Sequence, residues 1–143
     1  MKLLFDTSVL VDIDRNKSET IELLKSLVQH HELCISTITV TEILTGASLR
    51  RDAETATLKA KEILNQFAWQ SVDGMTAEVA AGLFAHLIVE KKAESIEYAD
   101  VLISASYFAA HCDALITHNQ KDFTLLPGIQ VFTPESFRRK LGK

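Results

Sequence analysis

The residues best suited to chemistry are acidic, and they stand beside apolar runs. Asp6 follows Leu3, Leu4 and Phe5 directly in the stretch LLFDTSVLVD. An ionised carboxylate there is costly to bury unless it is paired, hydrogen-bonded or bound to a cation. Asp also suits the start of a helix, so capping is a competing role for Asp6. Glu42 lies in STITVTEIL, just past a second apolar run, where Thr39-x-x-Glu42 fits a capping box. Asp100 interrupts EYADVLISASYFAA, a segment apolar enough for a core helix. Helical spacing puts Glu97, Asp100 and Ser104 on one polar stripe. Asp is a poor helix former, and a helix beginning near Ser95 leaves Asp100 no cap role. Asp100 therefore reads as functional, with Glu97 secondary. In ALITHNQKDF another apolar run opens into a polar loop carrying Asn119 and Asp122, both of which also suit a turn.

Each of these residues has a bland reading alone, and the set is harder to dismiss. Two unit charges about 4 Å apart repel by about 4 kcal/mol at an effective dielectric of about 20. A carboxylate cluster is tolerable when a divalent cation occupies it or when some carboxyls keep their protons. An all-oxygen set of Asp and Glu, without Cys or His, suits Mg²⁺ or Mn²⁺.

The elements that must position these residues follow from the pattern of apolar positions. Short apolar runs recur as KLLF, LCIS, WQSVD, ALIT and IQVFT. Between them the spacing turns helical. Ile21, Leu24 and Val28 share a face, with Ser18 as the cap. Residues 39–67 hold two helices or one bent one, and 75–93 and 97–112 hold two more. Thr133-Pro134-Glu135 starts a last helix, with Pro suited to the first turn. Strands alternating with helices predict an α/β fold with a mainly parallel central sheet of about five strands. Ligands in such sheets collect beyond the carboxyl ends of the strands. Asp6, Glu42 and the 117–122 loop all follow strands, and Asp100 reaches the same edge from an early helical turn.

Composition sets the frame. The chain has 143 residues, enough for one domain over 1–143 with a real core. It is 47% hydrophobic and 24% charged, as globular chains are. No apolar run approaches the roughly 20 residues that span a bilayer, and no signal peptide is evident, so a cytoplasmic protein with no membrane partner is expected. Cys34 and Cys112 lie far apart in apolar surroundings and read as buried free thiols. The five histidines form no H-E-x-x-H, which argues against zinc. A net charge of −4 excludes a protein that coats nucleic acid by bulk charge. Local basic clusters remain at Arg50, Arg51, Lys59 and Lys61, and at Arg138, Arg139, Lys140 and Lys143, each readable as a solvated helix face.

With these motifs in order, FDTSVLVD, TVTEIL, YADVLISASY and ITHNQKDF, the chain resembles the PIN-domain ribonucleases, in particular the VapC-type toxins of prokaryotic toxin–antitoxin pairs. The resemblance covers essentially the whole chain and implies a three-layer α/β/α sandwich. It implies that Asp6, Glu42 and Asp100 are acidic metal-site residues, assisted by Thr7, Ser8 or Thr117 through hydrogen bonds. For the fourth position it offers Asp122, with Asn119 as a neighbour, and leaves open which of the two faces the metal. It further implies Mg²⁺, with Mn²⁺ as a substitute, and hydrolysis of RNA by a metal-activated water. A cognate antitoxin would then be the protein partner. Residues 39–68 and the apolar face of MTAEVAAGLFAHLIV offer helical surface for that partner or a homodimer, or else simply cover the sheet.

Other classes explain less. Haloacid-dehalogenase-type phosphotransfer wants a second Asp two residues after the first, where Ser8 stands. A receiver domain wants a phosphoacceptor Asp after a later strand and a Lys near the end. Nucleotide-binding folds are disfavoured because neither G-x-x-x-x-G-K-[ST] nor G-x-G-x-x-G occurs. A catalytically degenerate RNA- or protein-binding module and a housekeeping RNA-processing nuclease are the remaining alternatives.

Overall fold

A computed structural model describes residues 1–142. The five apolar runs form five strands, β1 (Lys2–Phe5), β2 (Glu32–Ser36), β3 (Ala68–Gln70), β4 (Ala114–Ile116) and β5 (Val131–Phe132). They make one sheet in the order β3-β2-β1-β4-β5, and every pairing is parallel. The central strand β1 sets Leu4 opposite Cys34 on one side and Leu115 on the other.

Alternation along the strands divides the core between two helical layers. Leu3, Phe5, Leu33, Ile35 and Ile116 point to one face, where α1 (Thr7–Asp14), α2 (Ser18–Leu27), α3 (Thr37–Ser48) and α4 (Ala53–Leu64) gather. Phe137 of the last helix, α8 (Pro134–Lys140), closes that layer. Leu4, Cys34 and Leu115 point the other way, onto Ile103 and Tyr107 of α6 (Tyr98–Ala109) and Phe123 of the short α7 (Gln120–Phe123). A fully buried Leu or Phe contributes about 1.5–3 kcal/mol, so both layers hold firmly to the sheet. The result is the three-layer α/β/α sandwich expected. The helix α5 (Gly74–Val89) packs chiefly on α6, and its outer side leaves Met75, Ile88 and Val89 exposed.

Several local expectations need correction. Ser18 is not a cap: α2 starts at Ser18 with Lys17 at the cap position and no side-chain cap bond. Lys17 is held instead by its own N–H on the Asp12 carbonyl, at 2.9 Å. The Thr39–Glu42 capping box does not form. α3 begins two residues before Thr39, and the Ser36 hydroxyl caps it by accepting from the Ile38 N–H. The 39–67 stretch is two helices, broken between Ser48 and Ala53. α5 ends at Val89 and α6 at Ala109, short of residues 93 and 112, because Lys91 and His111 turn the backbone to φ of 57° and 54°. α6 also begins at Tyr98, which places Asp100 in its first turn. The 117–122 loop contains one helical turn, α7, and carries Asp122 on it. Thr133 does start α8, through a reciprocal capping box with Ser136.

Part of the basic sequence is absorbed structurally. Arg50 pairs with Asp14 at 3.6 Å and Asp52 at 3.1 Å, and Lys59 binds the Asp14 carbonyl at 2.6 Å. Arg138 donates to the Glu19 carbonyl, and Lys140 lies over the Phe132 ring. Lys143, counted with the C-terminal cluster, lies outside the described residues. Cys34 and Cys112 are buried free thiols, as expected.

Candidate functional site

The chain leaves β1 toward β2 on one side, while β4 returns on the other side of β1. The carboxyl ends of β1 and β4 therefore flank the point where strand order reverses, the usual ligand crevice of open parallel sheets. Asp6 stands at one lip and Thr117 at the other. The Asp6 N–H bonds to the Ile116 carbonyl at 3.0 Å, and the Thr117 hydroxyl donates to Asp6 Oδ2 at 2.7 Å. Ser8 Oγ donates to the same oxygen at 2.8 Å. Asp6 occupies the cap position of α1 yet makes no side-chain cap bond, so its carboxylate serves the crevice rather than the helix.

The other acids come from three further segments. Glu42, on the second turn of α3, accepts from Thr7 Oγ1 at 2.7 Å. Asp100 stands in the first turn of α6, and Asp122 on α7. Asn119 links these two: its Nδ2 donates to Asp122 Oδ2 at 2.9 Å and lies 3.4 Å from Asp100 Oδ2. The Asn119 N–H also bonds to Thr117 Oγ1, at 2.9 Å. The loop thus supplies both candidates for the fourth position, Asn119 as a donor and Asp122 as a charge. Glu97, set aside in the sequence, sits at the cap position of α6 without capping it.

Electrostatics show that these groups share one field. The Asp100 carboxyl is pushed up to about 7, first by burial and then by the charges of Asp6, Glu97, Glu42 and Asp122. Glu42 is also raised, by burial and by Asp6 and Glu97, against the lowering effect of its Thr7 bond. Among the described residues none of these five carboxylates has a Lys, Arg or His ion-pair partner. The amino ends of α1, α3 and α6 lie along this edge, and their positive poles offset part of the repulsion.

The hydrogen bonds leave a consistent pattern. Asp6, Glu42, Asp100 and Asp122 each have one oxygen against a side-chain donor. Among the described residues no side chain donates to the second oxygen of any of them. Four hard oxygens, each on a carboxylate oriented through its partner, suit a hard divalent cation. Among the described residues there is no group of three or more His, Cys, Asp or Glu side chains that could hold a metal ion directly. Mg²⁺ does not need one, because it retains several waters and takes only one or two carboxylates directly. The donor set fits a hydrated dication.

Sequence reasoning missed Asp12 and His118. Asp12 is buried, and its carboxylate accepts from His118 Nε2 at 2.5 Å and from Thr20 Oγ1 at 3.0 Å, with Lys17 Nζ at 3.1 Å. The signal was present: Asp12 follows Ser8 by four residues and so shares its face of α1.

Fold and site together define a parallel α/β protein with an acidic crevice at its switch point. A family model for the PIN domain matches residues 3–128, and the chain belongs to the PIN-domain family. No curated protein matches the sequence at a significant level. Among solved structures, the chain is similar to VapBC2 from Rickettsia felis, solved bound to a DNA fragment from its promoter. Identity there is 20%, over 93% of this chain and 98% of that one, with a TM-score of 0.85. DNA-bound VapBC from Salmonella typhimurium is similar at 20% identity over 94% and 98% of the two chains, with a TM-score of 0.85. A toxin–antitoxin complex from Klebsiella pneumoniae is similar at 26% identity over 92% and 97%, with a TM-score of 0.71.

Proposed function

We propose that this chain is a Mg²⁺-dependent endoribonuclease, the toxin of a toxin–antitoxin pair. The observation that carries the reading is the meeting of Asp6, Glu42, Asp100 and Asp122 in one crevice, with the Asp100 carboxyl raised to about 7, first by burial and then by the charges of its neighbours. Asp6 and Asp100 would be the principal metal ligands, with Glu42 and Asp122 holding a second ion or water through outer contacts. A bound dication supplies an acidified, oriented water and neutralises charge developing on the phosphate. The protein's own part is positional. Ser8 and Thr117 fix one oxygen of Asp6, Thr7 fixes Glu42, and Asn119 spaces Asp100 from Asp122.

The toxin assignment is supported by the similar structures above, which are VapBC and toxin–antitoxin complexes. A groove bordered by Thr7 and Glu42 and continuing along Ile43 and Ala47 gives a partner chain access to the crevice. A basic antitoxin side chain placed there would neutralise the acids in place of a metal.

Calorimetric titration of Mn²⁺ into wild type and into Asp6→Asn, Glu42→Gln and Asp100→Asn is the first test, each variant being checked for native circular dichroism. Weakened binding in all three supports one shared site. Unchanged binding in all three refutes it. Cleavage of RNA in Mg²⁺ that vanishes in Asp6→Asn would establish the reaction. RNA binding that persists without metal and without Asp100 would favour a degenerate binding module instead. Co-purification of a small partner from the native operon tests the antitoxin.

A further inference from the structure

The turn 117–119 touches the crevice at three points, through Thr117 and Ser8 on Asp6 and through Asn119 on Asp100 and Asp122. Its middle residue, His118, turns its ring away from the acids and onto Asp12 of α1. The His118 N–H meanwhile donates to Ser8 Oγ at 3.1 Å, and the Ser8 hydroxyl in turn donates a hydrogen bond to Asp6 Oδ2. One residue therefore holds α1 twice, by its backbone near the start of the helix and by its side chain one turn later. Asp12 is only 4% exposed, as is Asp6. Burial alone would raise the Asp12 carboxyl, but bonds from His118, Lys17 and Thr20 outweigh it and leave Asp12 lowered.

We propose that Asp12 and His118 are positioning residues, a clamp that seats the 117–119 turn on α1 and so sets the spacing of Asp6 from Asp100 and Asp122. The proposal rests on the metal reading above. A clamp has work to do here because the acids repel, and the donors that orient them lie on a turn that would otherwise relax outward. Loss of partners that orient metal ligands commonly costs 10–100-fold in metal affinity.

The test compares wild type, His118→Ala, His118→Gln, Asp12→Ala and the Asp12→Ala/His118→Ala double variant. Two readouts are needed: Mn²⁺ affinity by calorimetry, and hydrogen exchange at the Asn119 amide without metal. His118 is partly exposed, so its variants remain informative even if Asp12→Ala unfolds. His118→Ala should weaken Mn²⁺ binding about tenfold or more and speed exchange at Asn119. Gln carries an amide donor near the place of the imidazole Nε2, so His118→Gln should restore both. The double variant should be no worse than the poorer single, since both break one contact. A lower Tm with unchanged affinity and unchanged exchange would overturn the clamp and leave a structural tie. If wild type itself binds no Mn²⁺, the metal reading fails, and the exchange rates still decide the clamp.

Discussion

Replacing Asp100 by Asn should stabilise the metal-free protein while weakening its hold on metal. The substitution keeps an oxygen for the Asn119 amide and leaves the Ser104 hydroxyl on the residue 100 carbonyl. What it removes is a charge that burial and four neighbouring carboxylates oppose. Well below pH 3.8 the carboxyl is protonated in folded and unfolded chains alike, and the wild type bears no penalty. Between there and about 7 the unfolded chain has ionised while the folded chain still holds its proton, so wild-type stability falls as pH rises. Above about 7 the penalty is complete. At about 1.4 kcal/mol per pH unit, the displacement from 3.8 to about 7 sets a ceiling of about 4 kcal/mol. Asp100 is only partly buried, and screening by water brings the expected gain nearer to about 2 kcal/mol. For a chain of this length that is roughly 4–8 °C in Tm. Thermal denaturation of both proteins at pH 4, 6 and 8 in a chelating agent reads the effect. The Asn variant should exceed wild type only slightly at pH 4 and by the full margin at pH 8. Saturating Mn²⁺ at about 100 times Kd should return about 2.7 kcal/mol to wild type alone. A gain equal at pH 4 and pH 8, or no gain at pH 8, would refute the electrostatic account.

Mn²⁺ affinity of wild type should rise steeply from pH 6 to pH 8, as Asp100 gives up its proton near 7, and Asp100→Asn should flatten that slope; calorimetry in matched buffers checks both. Thr133→Ala removes the hydroxyl that accepts from the Ser136 N–H at 3.1 Å, and should cost about 1 kcal/mol in urea unfolding. Burial raises both thiols, pushing Cys112 up to about 12. Neither cysteine should react with a thiol reagent at pH 8 until denaturant is added, and fast labelling of the native protein would contradict the packing around Leu4.

How far the site was legible depended on the residue. Asp6, Glu42, Asp100 and Asp122 stood out because each set a charge where its surroundings were apolar or followed a strand. Capping was the rival reading for two of them, and sequence spacing could not separate the two roles. Ser36 takes the cap of α3 and frees Glu42, while Asp6 occupies a cap position and caps nothing. Glu97 ranks second in the sequence because a helix starting near Ser95 puts it inside the first turn, whereas it takes the cap position of α6. His118 escaped because its partner lies 106 residues away.

The sequence by itself determined the alternation of strands and helices and the placing of acids after strands. These follow from local rules: apolar period, turn residues, and the cost of charge beside an apolar run. Only the tertiary structure decided that β4 returns beside β1, so that Thr117 meets Asp6 across 111 residues. It also decided that five carboxylates from four separate segments share one crevice, and that Asp100 keeps its proton to about 7. Hydrogen bonds and charge repulsion act through space, and the distances that set their strength exist only once the chain has folded.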